Sequence, residues 1–395
     1  MTGTKTSVGT SQRAKRLHFS SLVIDTHVDT TQRFLDGDFD LGARGSLGSV
    51  DIPRMRAGGV GAIFFAIWVP SKVRGADAVK RAVVQIDRVR EQVRKHAGEL
   101  AMATTAEEIR KAHQKGKIAV LLGVEGGHMI ANDLGVLRTY AALGARYMTL
   151  THTGNVEWAD ASTDKPVHNG LTDFGRDVIR EMNRLGMMVD VSHVSDKTLA
   201  DVLESSEAPV FASHSSCQAI CDSPRNLSDV LMRALTAKGG MIQVNFHAGF
   251  LSQEFRDTER AHPEWDKAIA LEVRRQCGDR EGMQLIVGDS LTRDYVSRGD
   301  LPRVEWTKII EHIDHAVKVA GIEHVGLGSD FDGANMPYGM EDASKLPQIT
   351  EALLQLGYSE GDVKKILGEN TLRFMAEVER ASLGLDAAKR VRASG

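Results

Sequence analysis

Short apolar runs that alternate with segments of helical period constrain this chain more than any other feature. Along 395 residues the runs are LVIDTHVD (22–29), VGAIFFAIWV (60–69), KIAVLLGVEGG (117–127), ARYMTLTHT (145–153), MMVDVSH (187–193), APVFASHSS (208–216), MIQVNFHAG (241–249) and HVGLGSDFDG (324–333). Segments with apolar residues at three-to-four spacing lie between them at 77–96, 134–144, 171–186, 195–206 and 304–321. Parallel strands covered on both faces read as nearly continuous apolar runs, so the pattern predicts an α/β fold, a closed (β/α)8 TIM barrel. An open doubly wound sheet is the competitor, and no strand–GxGxxG–helix unit supports it. The layout predicted is an N-terminal extension (1–20), one barrel domain (21–380) and a C-terminal tail (381–395). A charged stretch at about 250–303, broken by His262-Pro263, reads as an inserted helical segment after the seventh strand, over one mouth of the barrel.

Composition narrows the partners. Hydrophobic residues at 42% and charged residues at 26% exclude a disordered or fibrous chain. Forty-nine Lys+Arg against 53 Asp+Glu leave a formal charge of −4 with no basic block, so no nucleic-acid partner is expected and a small molecule is the default ligand. Cys217, Cys221 and Cys277 are too few and too unevenly placed for a disulfide framework. The first twenty residues lack the apolar run of a secretory signal, and the tail SLGLDAAKRVRASG has no lipid-anchor character. The expectation is a cytoplasmic protein without a membrane anchor.

The polar residues within these runs sit at one end. The first run ends in His27 and Asp29, the third in Glu125, the fourth in His152, the fifth in His193 and the sixth in His214. The seventh ends in Asn245 and His247 and the eighth in Asp330 and Asp332. In a barrel all carboxyl ends of the strands ring one opening, so these residues are expected to converge. His27 and Asp29, two apart on a strand, leave the same face and can share one metal ion. Imidazoles and carboxylates without a thiolate cluster favour zinc, manganese, iron or cobalt. Two such ions sharing a carboxylate would hold a bridging hydroxide at neutral pH. His18, His96, His113, His262, His312 and His315 lie in polar or helical contexts and are expected to be solvated. His128 and His168 could line the mouth without binding metal, and His324 opens its strand at the wrong end. Cys217 and Cys221 are expected to be inert, Trp158 to pack, and Asn245 and His247 to line the site.

The segments LLGVEGGH (121–128), YMTLTHTGNVEWAD (147–160), FASHSSCQAICDSPRNLSD (211–229), GLGSDFDG (326–333) and GMEDASKLP (339–347) resemble the membrane dipeptidase family, also called renal dipeptidase, a branch of the binuclear amidohydrolase barrels. The similarity runs from about residue 22 to 380. It implies a dipeptidase with two zinc ions per subunit, one on His27 and Asp29, the other on His193 and His214, with Glu125 bridging. It further implies that His152 stabilises the substrate oxyanion, that Arg225 grips the C-terminal carboxylate, and that Asp330 contacts the free amino group and shuttles the proton to the leaving amine, with Asp332 as support. A D residue at the second position and homodimerisation are expected from the family alone. The 250–303 segment is longer than the family pattern, and Ser329 replaces a frequent Gly. Rival readings are a related amidohydrolase acting on N-acyl amino acids, lactams or cyclic amides, and a catalytically silent scaffold; the full ligand set argues against the latter.

Overall fold

A computed structural model describes residues 10–393; residues 1–9 and 394–395 of the expected extension and tail lie outside the described residues. The runs become β1 (Val23–Val28), β2 (Val60–Trp68), β4 (Ile118–Glu125), β5 (Ala145–Thr149), β6 (Met188–Asp190), β7 (Phe211–Ala212), β8 (Met241–Val244) and β9 (Val325–Leu327), with one additional strand, β3 (Leu100–Met102). All pairings between these strands are parallel, in the order β2-β1-β9-β8-β7-β6-β5-β4, and β2 pairs with β4 to close the ring. The fold is therefore the expected α/β closed barrel. β3 stands outside the ring: it pairs with Ile118–Val120 of β4, and β5 takes over from Leu122. Three residues are too short for a periodic run, which is why the sequence pattern does not show it.

β4 is buried along its whole length, the condition under which a strand reads IAVLLGVE. Alternation puts Ala119 and Leu121 on the face that carries Glu125. They share one apolar cluster with Ala62, Phe64, Tyr147, Met188, Phe211 and Met241 from the other strands, and with Leu372, Phe374 and Met375 from the helix Asn370–Ala393. This cluster fills the barrel interior beneath the site. Gly123 is required there: a Cβ on it would lie 1.9 Å from Tyr147 Cζ, so only glycine lets the phenol cross the interior.

Helices at Gly75–Lys95, Asp173–Leu185, Asp196–Ser205, Asp229–Thr236 and Thr307–Ala320 cover the outside. Thr172, Ser195 and Ser228 cap three of them through side-chain oxygens, and Gly186 ends one in the left-handed conformation. Between β8 and the helix Thr307–Ala320, the helices Gln253–Ala261, Pro263–Cys277 and Glu281–Arg298 form the inserted segment. No helix among the described residues is long and apolar enough to cross a membrane.

Two histidines expected in solvent are buried instead. His18, on the helix Gln12–Phe19, has its ring between Thr350 Oγ1 (2.8 Å) and the Gly58 carbonyl (2.7 Å). His312 accepts from the Cys217 N–H (3.0 Å) and donates to the Leu251 carbonyl (3.1 Å). A helical context does not reveal which face a lone histidine takes, and here each ring supplies backbone groups of a second segment with partners. His96, His113, His262 and His315 remain partly exposed.

Burial holds the His312 imidazole down at about 4, against an ordinary value of 6.5. A depressed histidine contributes stability that is present above 6.5 and lost as pH falls toward 4. Urea unfolding should show the wild type losing about 2 kcal/mol more than His312→Gln between pH 7 and 4.5; parallel losses would contradict the assignment.

Candidate metal centre

Glu125 ends β4 in register with Trp68 of β2 and Thr149 of β5. Its two carboxylate oxygens face different partners. Oε2 lies 3.5 Å from His27 Nε2, while Oε1 lies 3.1 Å from His193 Nε2, 3.4 Å from His214 Nε2 and 3.7 Å from His152 Nε2. Asp29 Oδ2 is 3.8 Å from the same His27 nitrogen, and a carboxylate oxygen of Asp330 lies within 4.8 Å of both His27 and Asp29. The strand-end residues thus converge as barrel closure requires. His193, Asp330 and Asp332 reach their places through left-handed backbone, with φ of 67°, 65° and 66°. Such conformations cost about 1 kcal/mol or more each and persist where the surroundings over-determine them.

The far side of each ring decides what its near nitrogen can do. His214 Nδ1 lies 2.7 Å from Ser213 Oγ, which donates its only proton to Asp190 Oδ2 at 2.6 Å. The serine must then accept from Nδ1–H, which leaves the His214 Nε2 lone pair facing inward. His27 Nδ1 lies 2.8 Å from the Tyr147 hydroxyl, which leaves Nε2 for Asp29 and Glu125. His193 Nε2 is 3.0 Å from His214 Nε2. His27 Nε2 and Asp29 Oδ1 are buried without hydrogen-bond partners. The inward-facing lone pair of His214 and the carboxylate oxygens gathered at this spacing fit divalent cations, and the donor set of imidazoles and carboxylates suits zinc or its neighbours.

The electrostatics of the bare protein point the same way. Burial raises the Glu125 carboxyl, but the surrounding imidazoles, His27 foremost, outweigh it and hold it well below the usual range. Burial and the Glu125 charge push Asp29 up to about 8. A dense acidic pair of this kind is stabilised by cations. Burial brings His152 down to about 4, so its ring is neutral at neutral pH.

These residues open onto a cleft of about 590 Å³. Its opposite wall comes from the inserted helices, through Ile269, Val273, Gln284 and Leu285. Arg225 is 6% exposed; its guanidinium donates to the His214 carbonyl (3.1 Å) and Ser215 Oγ (3.4 Å), and Nε has no partner. Burial lowers it to about 10, which leaves it a cation at neutral pH. Asn245 donates to Asp330 Oδ2 at 2.9 Å, and His247 lines the same cleft. Asp332 points away and accepts from Thr30 Oγ1 (2.7 Å) and the Ser49 N–H (2.5 Å), fastening two loops. Ser329 donates its hydroxyl (2.5 Å) and N–H (2.9 Å) to Asp25, which ties the turn carrying Asp330 to β1.

His128 and His168 bond the carbonyls of Val69 and Val156 and do not line the cleft. Cys217 and Cys221 are buried, with thiols pushed up by burial to about 12 and about 11, and Trp158 is packed at 1% exposed. Sequence reasoning missed Tyr147, Asp190, Ser213 and Trp68, whose side chains set the ring orientations. A polar residue inside an apolar run, as Asp190 is in MMVDVSH, was the available signal.

A buried carboxylate among histidines at the carboxyl ends of a parallel eight-stranded barrel is a candidate centre for divalent metal. A family model described as membrane dipeptidase (peptidase family M19) matches residues 11–389, and the chain belongs to that family. It is a metallo-dipeptidase by class. Dipeptidase verJ of Clonostachys rogersoniana is 34% identical over 345 residues, covering 84% of this chain and 76% of that protein. Among solved structures, a metallopeptidase from Rhodobacter sphaeroides liganded with a phosphinate mimic of L-Ala-D-Ala matches with a TM-score of 0.74 and 26% identity over 91% of this chain and 99% of that one. The probable dipeptidase PvdM of Pseudomonas aeruginosa matches with a TM-score of 0.76 and 26% identity over 94% of this chain and 98% of that one.

Tyr147→Phe removes the hydroxyl behind His27 and keeps the ring. Zinc titration against a competing chelator should show affinity lowered about 10- to 100-fold with the fold intact; unchanged affinity would mean the Tyr147–His27 bond does not orient a ligand.

Proposed function

We propose that the chain is a binuclear zinc dipeptidase that hydrolyses the peptide bond of free dipeptides, L-Xaa-L-Xaa and L-Xaa-D-Xaa. His27 and Asp29 would hold one ion and His193 and His214 the other, with Glu125 placed between the two sets. The division of the Glu125 carboxylate carries this reading, with Oε2 toward His27 at 3.5 Å and Oε1 toward His193 and His214 at 3.1 and 3.4 Å. When bound, such ions supply a polarised carbonyl and water acidified toward neutral pH.

The chain's own groups orient the substrate and move the proton. Arg225, a buried cation with an unpartnered Nε, pairs with the C-terminal carboxylate. His152 donates to the carbonyl oxygen as negative charge develops there. Asp330, held by Asn245 at 2.9 Å, binds the free amino group, takes the proton from the attacking water and returns it to the leaving nitrogen as the C–N bond breaks and the new C–O bond forms. The phosphinate mimic of L-Ala-D-Ala on the Rhodobacter sphaeroides relative supports a D residue at the second position.

Amino-acid release from zinc-loaded protein tests the reading on L,L- and L,D-dipeptides beside N-acetylated and C-amidated versions. Free dipeptides should be cleaved and blocked ones spared. Asp330→Asn should lower kcat by about 10²- to 10⁴-fold with zinc retained. Arg225→Met should lower kcat/KM about 100-fold on free dipeptides, toward the level of the C-amides. Cleavage confined to N-acylated substrates would transfer the protein to the wider amidohydrolases.

A further inference from the structure

The imidazoles around Glu125 differ in what stands behind them. His27 and His214 have hydroxyl groups at Nδ1, whose oxygens can accept a hydrogen bond from the ring N–H. His152 has the indole of Trp68, whose Nε1–H points at Nδ1 from 3.1 Å. An indole N–H can only donate, so Nδ1 of His152 must carry its lone pair, and the proton of the neutral ring must sit on Nε2. That nitrogen faces Glu125 Oε1 at 3.7 Å and opens onto the cleft. A nitrogen bearing a proton cannot ligate a metal, although His152 stands close enough to Glu125 and His193 to complete a ligand triad with them.

Trp68 is itself held in place. It ends β2 directly beside Glu125. Its backbone N–H donates to Gln85 Oε1 at 2.9 Å, while its backbone carbonyl accepts from Gln85 Nε2 at 2.5 Å and from Gln32 Nε2 at 2.9 Å. Gln85 is fully buried, so its amide serves the end of β2 as a neighbouring strand would. The indole and His152 rings meet edge to face, with centroids 5.4 Å apart and planes at 61°.

We propose that Trp68 is a positioning residue that fixes His152 as its Nε2–H tautomer, and so makes this ring a hydrogen-bond donor to the substrate carbonyl instead of a further metal ligand. The carbonyl part rests on the dipeptidase reading above; the tautomer does not. The partner at Nδ1 thereby sets His152 apart from His27 and His214, while His193 Nδ1 has no partner.

The test uses full-length protein labelled with ¹⁵N-histidine, metal-free and zinc-loaded, with the His152 signals identified by their loss in His152→Gln. Two-bond ¹H–¹⁵N correlations should show His152 protonated at Nε2 in both states. Trp68→Phe, and replacement of Trp68 by its sulfur isostere benzothienylalanine, remove the N–H while keeping an aromatic ring. Both should let Nδ1 take up the proton and lower kcat about 10- to 100-fold, with KM and zinc content unchanged. Trp68→Phe combined with His152→Gln should be no slower than His152→Gln alone. A wild-type ring protonated at Nδ1, or an isostere with unaltered tautomer and kcat, would overturn the proposal. If the wild type cleaves no dipeptide, the substrate reading fails, and the tautomer spectra still decide the role of Trp68.

Discussion

A carboxylate buried to 2% exposure at the end of a central strand is what the rest of the site is arranged around. Glu125 left alone there would carry a desolvation penalty of several kcal/mol. Four imidazoles from other strand ends meet its two oxygens, and only closure of the barrel brings those ends together. The compensation is geometric, so it depends on how each ring is held from behind. Tyr147 holds His27, and can cross the barrel interior only because residue 123 lacks a side chain. Asp190 holds Ser213, which holds His214. Trp68, clamped by two glutamines, faces His152.

This layered support explains why residues with no reach into the cleft matter for its chemistry. A histidine offers a lone pair or a proton at its inner nitrogen according to what its outer nitrogen meets. Hydroxyls behind two rings and an indole behind a third are therefore functional choices written into β5, the residue that follows β7, and β2. The cleft wall has a different origin. It comes from the helices Pro263–Cys277 and Glu281–Arg298, inserted after β8, so the surface that meets substrate side chains is built apart from the surface that meets the scissile bond.

Much of this was legible in the residue pattern. Doubly buried parallel strands must be apolar throughout, so each barrel strand showed itself as a run, and a polar residue at its end stood out. That asymmetry picked out the strand-end residues, and the resemblance to the membrane dipeptidases singled out His27, Asp29, Glu125, His193 and His214 among them as candidate ligands. β3 was not legible, because three residues carry no period. His18 and His312 were misread as solvated, because a single polar residue on an amphipathic helix does not declare its face. Tyr147 and Trp68 do not stand out within their runs, because an aromatic ring in a strand looks the same whether its polar atom is used or not.

The linear order of residues thus determined the barrel, the end of it that carries the chemistry, and the kinds of donor gathered there, since all of these follow from strand burial and the period of side-chain alternation. Tertiary structure alone decided which oxygen of Glu125 faces which ring, which nitrogen of each histidine points inward, and what the inserted helices cover. Those are relations between side chains as much as 300 residues apart, as in the bond from Ser329 to Asp25 across 304 positions, and no local period encodes them.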